Sequence, residues 1–211
     1  TTKLPVFFQG VGTTVELALC TAIFGTLLGI VVALLRMSRV KLLKVLAGAY
    51  IEFLRGTPLL VQVLIVFYGL PQMGVKLPRM TAGTVALVIN SAAYMAEIVR
   101  SGIQAIDGGQ TEASRSLGMN GAQTMIYIIL PQAIKNILPA IGNEFVSIIK
   151  ESSILYTIGI YELTYQANKL ASTNFRYLET LTISALIYFV LTFTASRLLG
   201  MLERRMRRGD R

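Results

Sequence analysis

Histidine is absent from these 211 residues, and cysteine occurs once, as Cys20. The first absence removes imidazole as a metal ligand or general base; the second leaves no disulfide partner and no CxxC metal or redox site. No G-x-x-x-x-G-K-[ST] phosphate loop is present, so the chain is not expected to hydrolyse ATP itself. Nucleophile elbows and metal-ligand spacings are missing too, so neither a catalytic residue nor a metal site is expected. No solenoid-length repeat or low-complexity linker interrupts the chain, and residues 1–211 read as a single domain. Acidic residues are scarce: 11 Asp and Glu against 20 Lys and Arg leave a net charge of +9. The basic residues cluster beside apolar segments instead of interleaving with aromatics, which argues against nucleic acid as a partner.

What is abundant is apolar surface, 54% of the residues, above the roughly 45–50% of soluble domains. Residues 17–35 carry no charge, and about 20 such residues cross a bilayer core. This run is the first predicted membrane helix. It is too long for a signal-peptide core and has only Lys3 ahead of it, so no cleavage is expected. Arg36, Arg39, Lys41 and Lys44 follow, placing this end in the cytoplasm and the N-terminus outside. Residues 45–55 are amphipathic and suit the inner membrane surface. Uncharged runs at 56–75 and 80–96 predict the second and third crossings, joined by an external turn with Lys76, Pro78 and Arg79. The fourth, 125–161, is expected to be broken at Pro131, Pro139 and Gly142, with Lys135, Glu144, Lys150 and Glu151 inside it. Residues 180–196 form the fifth, followed by Arg204, Arg205, Arg207 and Arg208. Only Lys3, Lys76, Arg79, Lys169 and Arg176 fall outside, which supports a cytoplasmic C-terminus. The expected fold class is therefore all-α and polytopic, with five transmembrane helices and the lipid bilayer as its surroundings.

Between the third and fourth runs lies the longest polar interruption, residues 107–131, DGGQTEASRSLGMNGAQTMIYIILP. Asp107 and Gln110 can open a helix by a loose capping arrangement and Gly118 can close it, about three turns later. The small Ala113, Ser114 and Gly118 would leave one surface open to close approach by another protein. An ordinary solvated loop with Glu112 paired to Arg115 is the alternative.

Two polar stripes lie within the predicted spans. Glu144, Ser147 and Glu151 share one helix face, and charges at membrane depth generally face a cavity or a partner. They form a pocket for a cationic or zwitterionic solute, or they are structural residues neutralised by Lys150. Asn90, Tyr94 and Glu97 make the second stripe, with Arg100 one turn from Glu97 as a possible structural partner. Thr57 and Pro58 open the second crossing as a helix start, and an N-terminus there also attracts carboxylates. Gly25 and Gly29 form a GxxxG pair that permits close helix contact.

The stretch Glu112-Ala113-Ser114, then three residues, Gly118, nine residues, and Ile128-x-Leu130-Pro131 resembles the "EAA" loop of ABC importer permease subunits, with Ser114 where that family more often has alanine. Glu52-Phe53-Leu54-Arg55-Gly56-Thr57-Pro58, Tyr94-Met95-Ala96-Glu97-Ile98-Val99-Arg100-Ser101-Gly102-Ile103, Gly142-Asn143-Glu144-Phe145 and Lys150-Glu151-Ser152-Ser153 resemble the polar amino acid branch of the same permeases, so the similarity covers most of the chain. The resemblance implies a type I ABC importer permease fold with a cytoplasmic coupling helix within residues 107–121. Thr111, Glu112, Ala113, Ser114, Arg115, Leu117 and Gly118 would then be the ATPase-coupling residues. It further implies cytoplasmic ABC ATPase subunits, which hold the ATP and Mg, a second permease subunit in a homodimer, and an extracellular solute-binding protein, in a prokaryotic cell membrane. Transport would proceed by alternating access around a mid-membrane amino acid site built from Thr57, Asn90, Tyr94, Glu97, Glu144, Ser147 and Glu151. A pocket rich in Glu favours basic amino acids, whose guanidinium or ammonium compensates buried carboxylates. Two rivals stand beside this reading. An ion-coupled secondary transporter or channel also uses broken helices and buried carboxylates, and a non-transporting scaffold would predict no solute binding.

Overall fold

The computed structural model describes residues 4–207, with side chains to 205; Lys3, Arg208 and the side chain of Arg207 lie outside the described residues. All regular structure among the described residues is helical. Helix α1, Leu4–Arg36, begins well before the charge-free run. Two threonines near its start are hydrogen-bonded to backbone groups. Thr13 Oγ1 donates back to Gln9 O at 3.3 Å, and buried Thr14 Oγ1 receives the Leu163 N–H at 3.2 Å.

Helix α2, Lys41–Gly56, is amphipathic as expected, burying Ala47, Gly48, Ile51 and Leu54 on one face. Helix α3, Leu59–Gln72, leaves it at an angle of 108°. The cause is local: Thr57, before Pro58, is held extended (φ −118°, ψ 148°), so the helix cannot run through. The run 56–75, read from sequence as one crossing, is thus a shorter helix. At about 1.5 Å per residue α3 alone is shorter than a bilayer core. Among the described residues four helices are singly long and apolar enough to cross: α1, α4 at Arg79–Gln104, α6 at Gly121–Ile158, and Tyr177–Arg205 within the last helix. The bent α2–α3 pair is the candidate fifth.

The expected break in the fourth crossing is corrected, because α6 stays helical through Pro131, Pro139 and Gly142. A wide π turn, Thr124–Ile129, precedes Pro131, and there the Leu130 N–H reaches back five residues to Met125 O. Widening moves the preceding carbonyls off the proline ring, which a regular α-turn would clash with. The Ile128 carbonyl takes its hydrogen bond from Gln132 Nε2 instead, at 2.7 Å. The same device recurs in α3, where the π turn Ile65–Gly69 precedes Pro71. Helix α5 is Gly108–Ser116, α7 is Leu163–Asn174, which has no counterpart in the sequence reading, and α8 is Tyr177–Arg207.

The core forms where α1 packs along α4, the most extensive helix contact in the fold. Gly25 and Gly29 serve this packing: a Cβ on Gly25 would lie 3.0 Å from Ser91 Oγ, and one on Gly29 would lie 2.5 Å from Met95 Cβ. At the end away from α5, Leu17, Val63, Ala86, Leu87, Leu155, Ile158 and Ile160 join α1, α3, α4 and the end of α6. At the α5 end, Val32, Ala33, Ala47, Ile51 and Ala96 join α1, α2 and α4. Large apolar side chains cover the outside, among them Phe24, Leu27 and Leu34 of α1 and Leu186, Phe189 and Val190 of α8, as a lipid-facing surface requires.

Candidate functional site

Helix α5 is capped by Asp107, whose Oδ1 accepts the Gly109 N–H at 2.6 Å. Gln110 contributes only its backbone N–H, to Asp107 O at 3.1 Å, so the capping is one-sided. Gly118, at φ +84°, ends the helix, with Met119 N–H donating to Ser114 O at 3.1 Å and Gly118 N–H to Arg115 O at 3.0 Å. That left-handed residue is the place where glycine is needed. Ser114 is the single buried residue of α5. Its Oγ donates to Thr111 O at 2.9 Å and lies 3.0 Å from Thr124 Oγ1, the first residue of the α6 π turn. Ser114 therefore fastens α5 to α6. Thr111, Glu112, Ala113, Arg115, Leu117 and Gly118 all face outward, with Leu117 84% exposed. Glu112 and Arg115 do not pair; Arg115 Nη1 donates to Met119 O at 3.4 Å. Fastened on one side and open on the other, α5 has the form of a bearing surface.

Thr57 and Asn90 come together at the α2–α3 bend, through a residue the sequence reading missed. Buried Gln62 donates Nε2 to Leu54 O at 2.8 Å, to Thr57 O at 3.1 Å and to Thr57 Oγ1 at 2.9 Å, and its Oε1 accepts from Asn90 Nδ2 at 2.9 Å. The network holds the bend closed, and no helix-surface periodicity of α3 marks Gln62 out beforehand. Lower on α4, Arg100 clasps the half-buried Glu97 with Nε at 2.9 Å from Oε2 and Nη2 on Oε1, while Arg55 sits over the Tyr94 ring at 5.3 Å. This ion pair is the structural partner anticipated for Glu97.

The third group is on α6. Glu144, Ser147 and Glu151 are half-buried on one stripe. Glu144 Oε1 accepts from Ser91 Oγ at 3.0 Å, Ser91 itself being buried opposite Gly25. Neither Glu144 nor Glu151 has a cation within 4.0 Å among the described residues, although exposed Lys150 on the neighbouring face acts on Glu151 through space. Beside Lys150 a groove of about 420 Å³ runs between α6, α7 and α8, lined by Ser153, Thr164, Ser184 and Tyr188. The seven substrate-site candidates thus fall into three neighbourhoods on α2–α3, α4 and α6.

A fourth cluster was absent from the sequence reading. Glu162 is fully buried and caps α7, its carboxylate accepting from Thr164 N at 2.8 Å, Tyr165 N at 2.7 Å and Tyr188 Oη at 2.7 Å. Burial outweighs these donors and raises its pKa above 4.5. The folded chain therefore holds this proton more tightly than the unfolded chain, and stability falls as pH rises from 4.5 through the raised value. Thermal melts of the wild type should fall with rising pH across that window relative to Glu162→Gln; parallel pH profiles would remove Glu162 as the titrating group.

Residues 25–208 match the family described as binding-protein-dependent transport system inner membrane component. The chain is 40% identical over 209 residues to the arginine transport system permease protein ArtQ of Bacillus subtilis (strain 168), covering 99% of this chain and 95% of that one. It is 42% identical over 179 residues to the probable glutamine ABC transporter permease protein GlnM of the same organism, covering 85% and 83%. Among solved structures, an amino acid ABC transporter crystallised with histidines has 52% identity and a TM-score of 0.92, covering 96% of this chain and 94% of that one. The inward-facing MetNI methionine ABC transporter, at 17% identity and a TM-score of 0.78, shares the fold over 98% of this chain and 99% of its own.

Proposed function

This chain belongs to the family of binding-protein-dependent transport system inner membrane components, and from that premise we propose that it imports basic amino acids by alternating access, as one of two identical permease subunits. That it is an amino acid ABC permease with the type I fold, a multi-pass component of the inner membrane, follows from the matches to permeases and to the amino acid transporter structure. The basic specificity rests on one observation: α6 carries two half-buried carboxylates, Glu144 and Glu151, with no cation in direct contact among the described residues, Glu151 feeling only the more distant Lys150. A carboxylate left without a cation at membrane depth is costly, and a guanidinium or ammonium on the solute offsets that cost. Relatives named for arginine and for glutamine leave both a basic and a neutral solute within the family's range.

In this reading α5 faces the cytoplasm and docks on an ATPase subunit that supplies the ATP and Mg²⁺ chemistry. The N-terminus is outside, the C-terminus inside, and a solute-binding protein delivers the amino acid at the α7 end. Exposed Glu112, Ala113 and Leu117 meet the ATPase, and Ser114 carries the movement through Thr124 into α6. Liposomes containing this chain, its ATPase and its binding protein test the assignment through ATP hydrolysis across a panel of amino acids. Arginine, lysine or histidine should stimulate hydrolysis most, and stimulation by no basic amino acid removes the specificity. Glu112→Lys should cut ATP-driven uptake about ten-fold or more, the scale of one central interface contact, while solute binding is unchanged. Loss of solute binding with coupling intact would contradict this division of labour.

A further inference from the structure

We propose that the corner joining α1 to α2 is a binding site for the headgroup of an anionic phospholipid. Three cations project there, Arg39, Lys41 and Lys44, all exposed and none in an ion pair among the described residues. No acidic residue occurs in the sequence between Glu16 and Glu52 to compensate them. The nearest other cation, Arg36, is already committed, with Nη1 donating to Lys44 O at 3.1 Å and Nη2 3.8 Å from Glu52 Oε1.

The corner is a built frame. Val40 N–H donates to Ser38 Oγ at 3.1 Å, Lys44 N–H donates to Val40 O at 3.1 Å, and Gly48 lets the Arg36 guanidinium lie flat against α2, where a Cβ would meet Nη1 at 2.2 Å. The three cations are therefore displayed on fixed backbone at the point where the charge-free part of α1 ends. Interleaved with them, Val40, Leu42, Val45 and Leu46 are each more than half exposed. Cations alternating with exposed aliphatic side chains match a molecule that carries an anionic head and acyl tails, which free phosphate does not. The α2 surface opposite this patch is the one that packs on Val32, Ala33 and Ala96, so the lipid-facing side remains open. The site requires membrane insertion and nothing of the transport reading, so either can fail alone.

The chain has no tryptophan, which makes an introduced one a local reporter. Leu42→Trp, reconstituted in phosphatidylcholine vesicles, should be quenched several-fold more by brominated phosphatidylglycerol than by the same fraction of brominated phosphatidylcholine. Each cation near an anionic surface is worth about a five-fold preference, so Arg39→Gln, Lys41→Gln and Lys44→Gln together should bring the quenching by the two lipids to about equal. The charge-keeping set Arg39→Lys, Lys41→Arg and Lys44→Arg should retain it. Phe24→Trp, on an uncharged exposed part of α1, should be quenched equally by both lipids. Equal quenching at Leu42→Trp, a preference that survives the glutamine set, or the same preference at Phe24→Trp overturns the site. Loss of the preference in millimolar inorganic phosphate would reveal a phosphate site only and equally overturns it.

Discussion

Gly29→Val is expected to remove most of the folded protein from the membrane fraction. A Cβ at Gly29 would stand 2.5 Å from Met95 Cβ, 3.0 Å from Ala92 O and 3.2 Å from Ala96 N. Two of these are backbone atoms of α4, and the third is the root of a fully buried side chain, so none can rotate away. Valine adds further bulk beyond that Cβ and forces α1 and α4 apart along the most extensive helix contact among the described residues. Overpacking typically costs about 1–3 kcal/mol, and a clash against backbone belongs at the upper end. The contrast is Gly12, on the same helix with nothing within 4 Å of its added Cβ, where valine should leave yield and melting temperature near wild type. Fluorescence-detected size exclusion and thermal melts of the two variants decide it. Equal behaviour would mean that the helices can separate without loss, and that the glycine pair matters little.

The second large effect concerns the α6 stripe. Glu144→Gln and Glu151→Gln should each weaken basic amino acids about 10- to 100-fold, since a hydrogen bond to a charged group is worth about 1.5–3 kcal/mol. A neutral solute such as glutamine should change far less. Ser91→Ala separates the direct from the indirect route, because Ser91 touches Glu144 at 3.0 Å without belonging to the stripe. If Glu144 meets the ligand, losing its Ser91 anchor should weaken arginine more than glutamine, though less than loss of the carboxylate. Isothermal titration or substrate-stimulated ATP hydrolysis in liposomes reads these differences. Equal losses for basic and neutral solutes in both Glu variants would return the two carboxylates to a structural role.

What the sequence made legible depended on how local the cause was. Helix α5 was readable because its ends are set by Asp107 and Gly118 within a few residues, and both act as expected. The spans within α1, α4 and α8 were readable because absence of charge over about 20 residues is itself the physical requirement, whereas the equally uncharged run 56–75 folds as a shorter, bent helix. The α2–α3 bend was harder: Thr57 and Pro58 announce a helix start, but its fixed angle needs Gln62 and Asn90, and the latter sits on another helix. The start of α1 lies ahead of the charge-free run for a similar reason, since buried Thr14 is satisfied only by the N–H of Leu163, 149 residues away. Helix α7 and Glu162 share that cause, their partners lying on α1 and α8. Pro131 misled in the opposite direction, because proline was weighed against a regular α-turn and the chain supplies a wider one. On the candidate site, the grouping of the polar residues was not legible, because Ser91, Gln62 and Arg55 become partners only once the helices are assembled.

The two wide turns before Pro71 and Pro131 have a mechanical corollary. Each interrupts the regular i→i+4 ladder, and such breaks are where helices bend, so a change of helix direction would cost least at these two positions. One of them begins at Thr124, the residue held by Ser114. In the proposed coupling, a movement of α5 would reach α6 first at this wide turn, ahead of the length that carries Glu144 and Glu151.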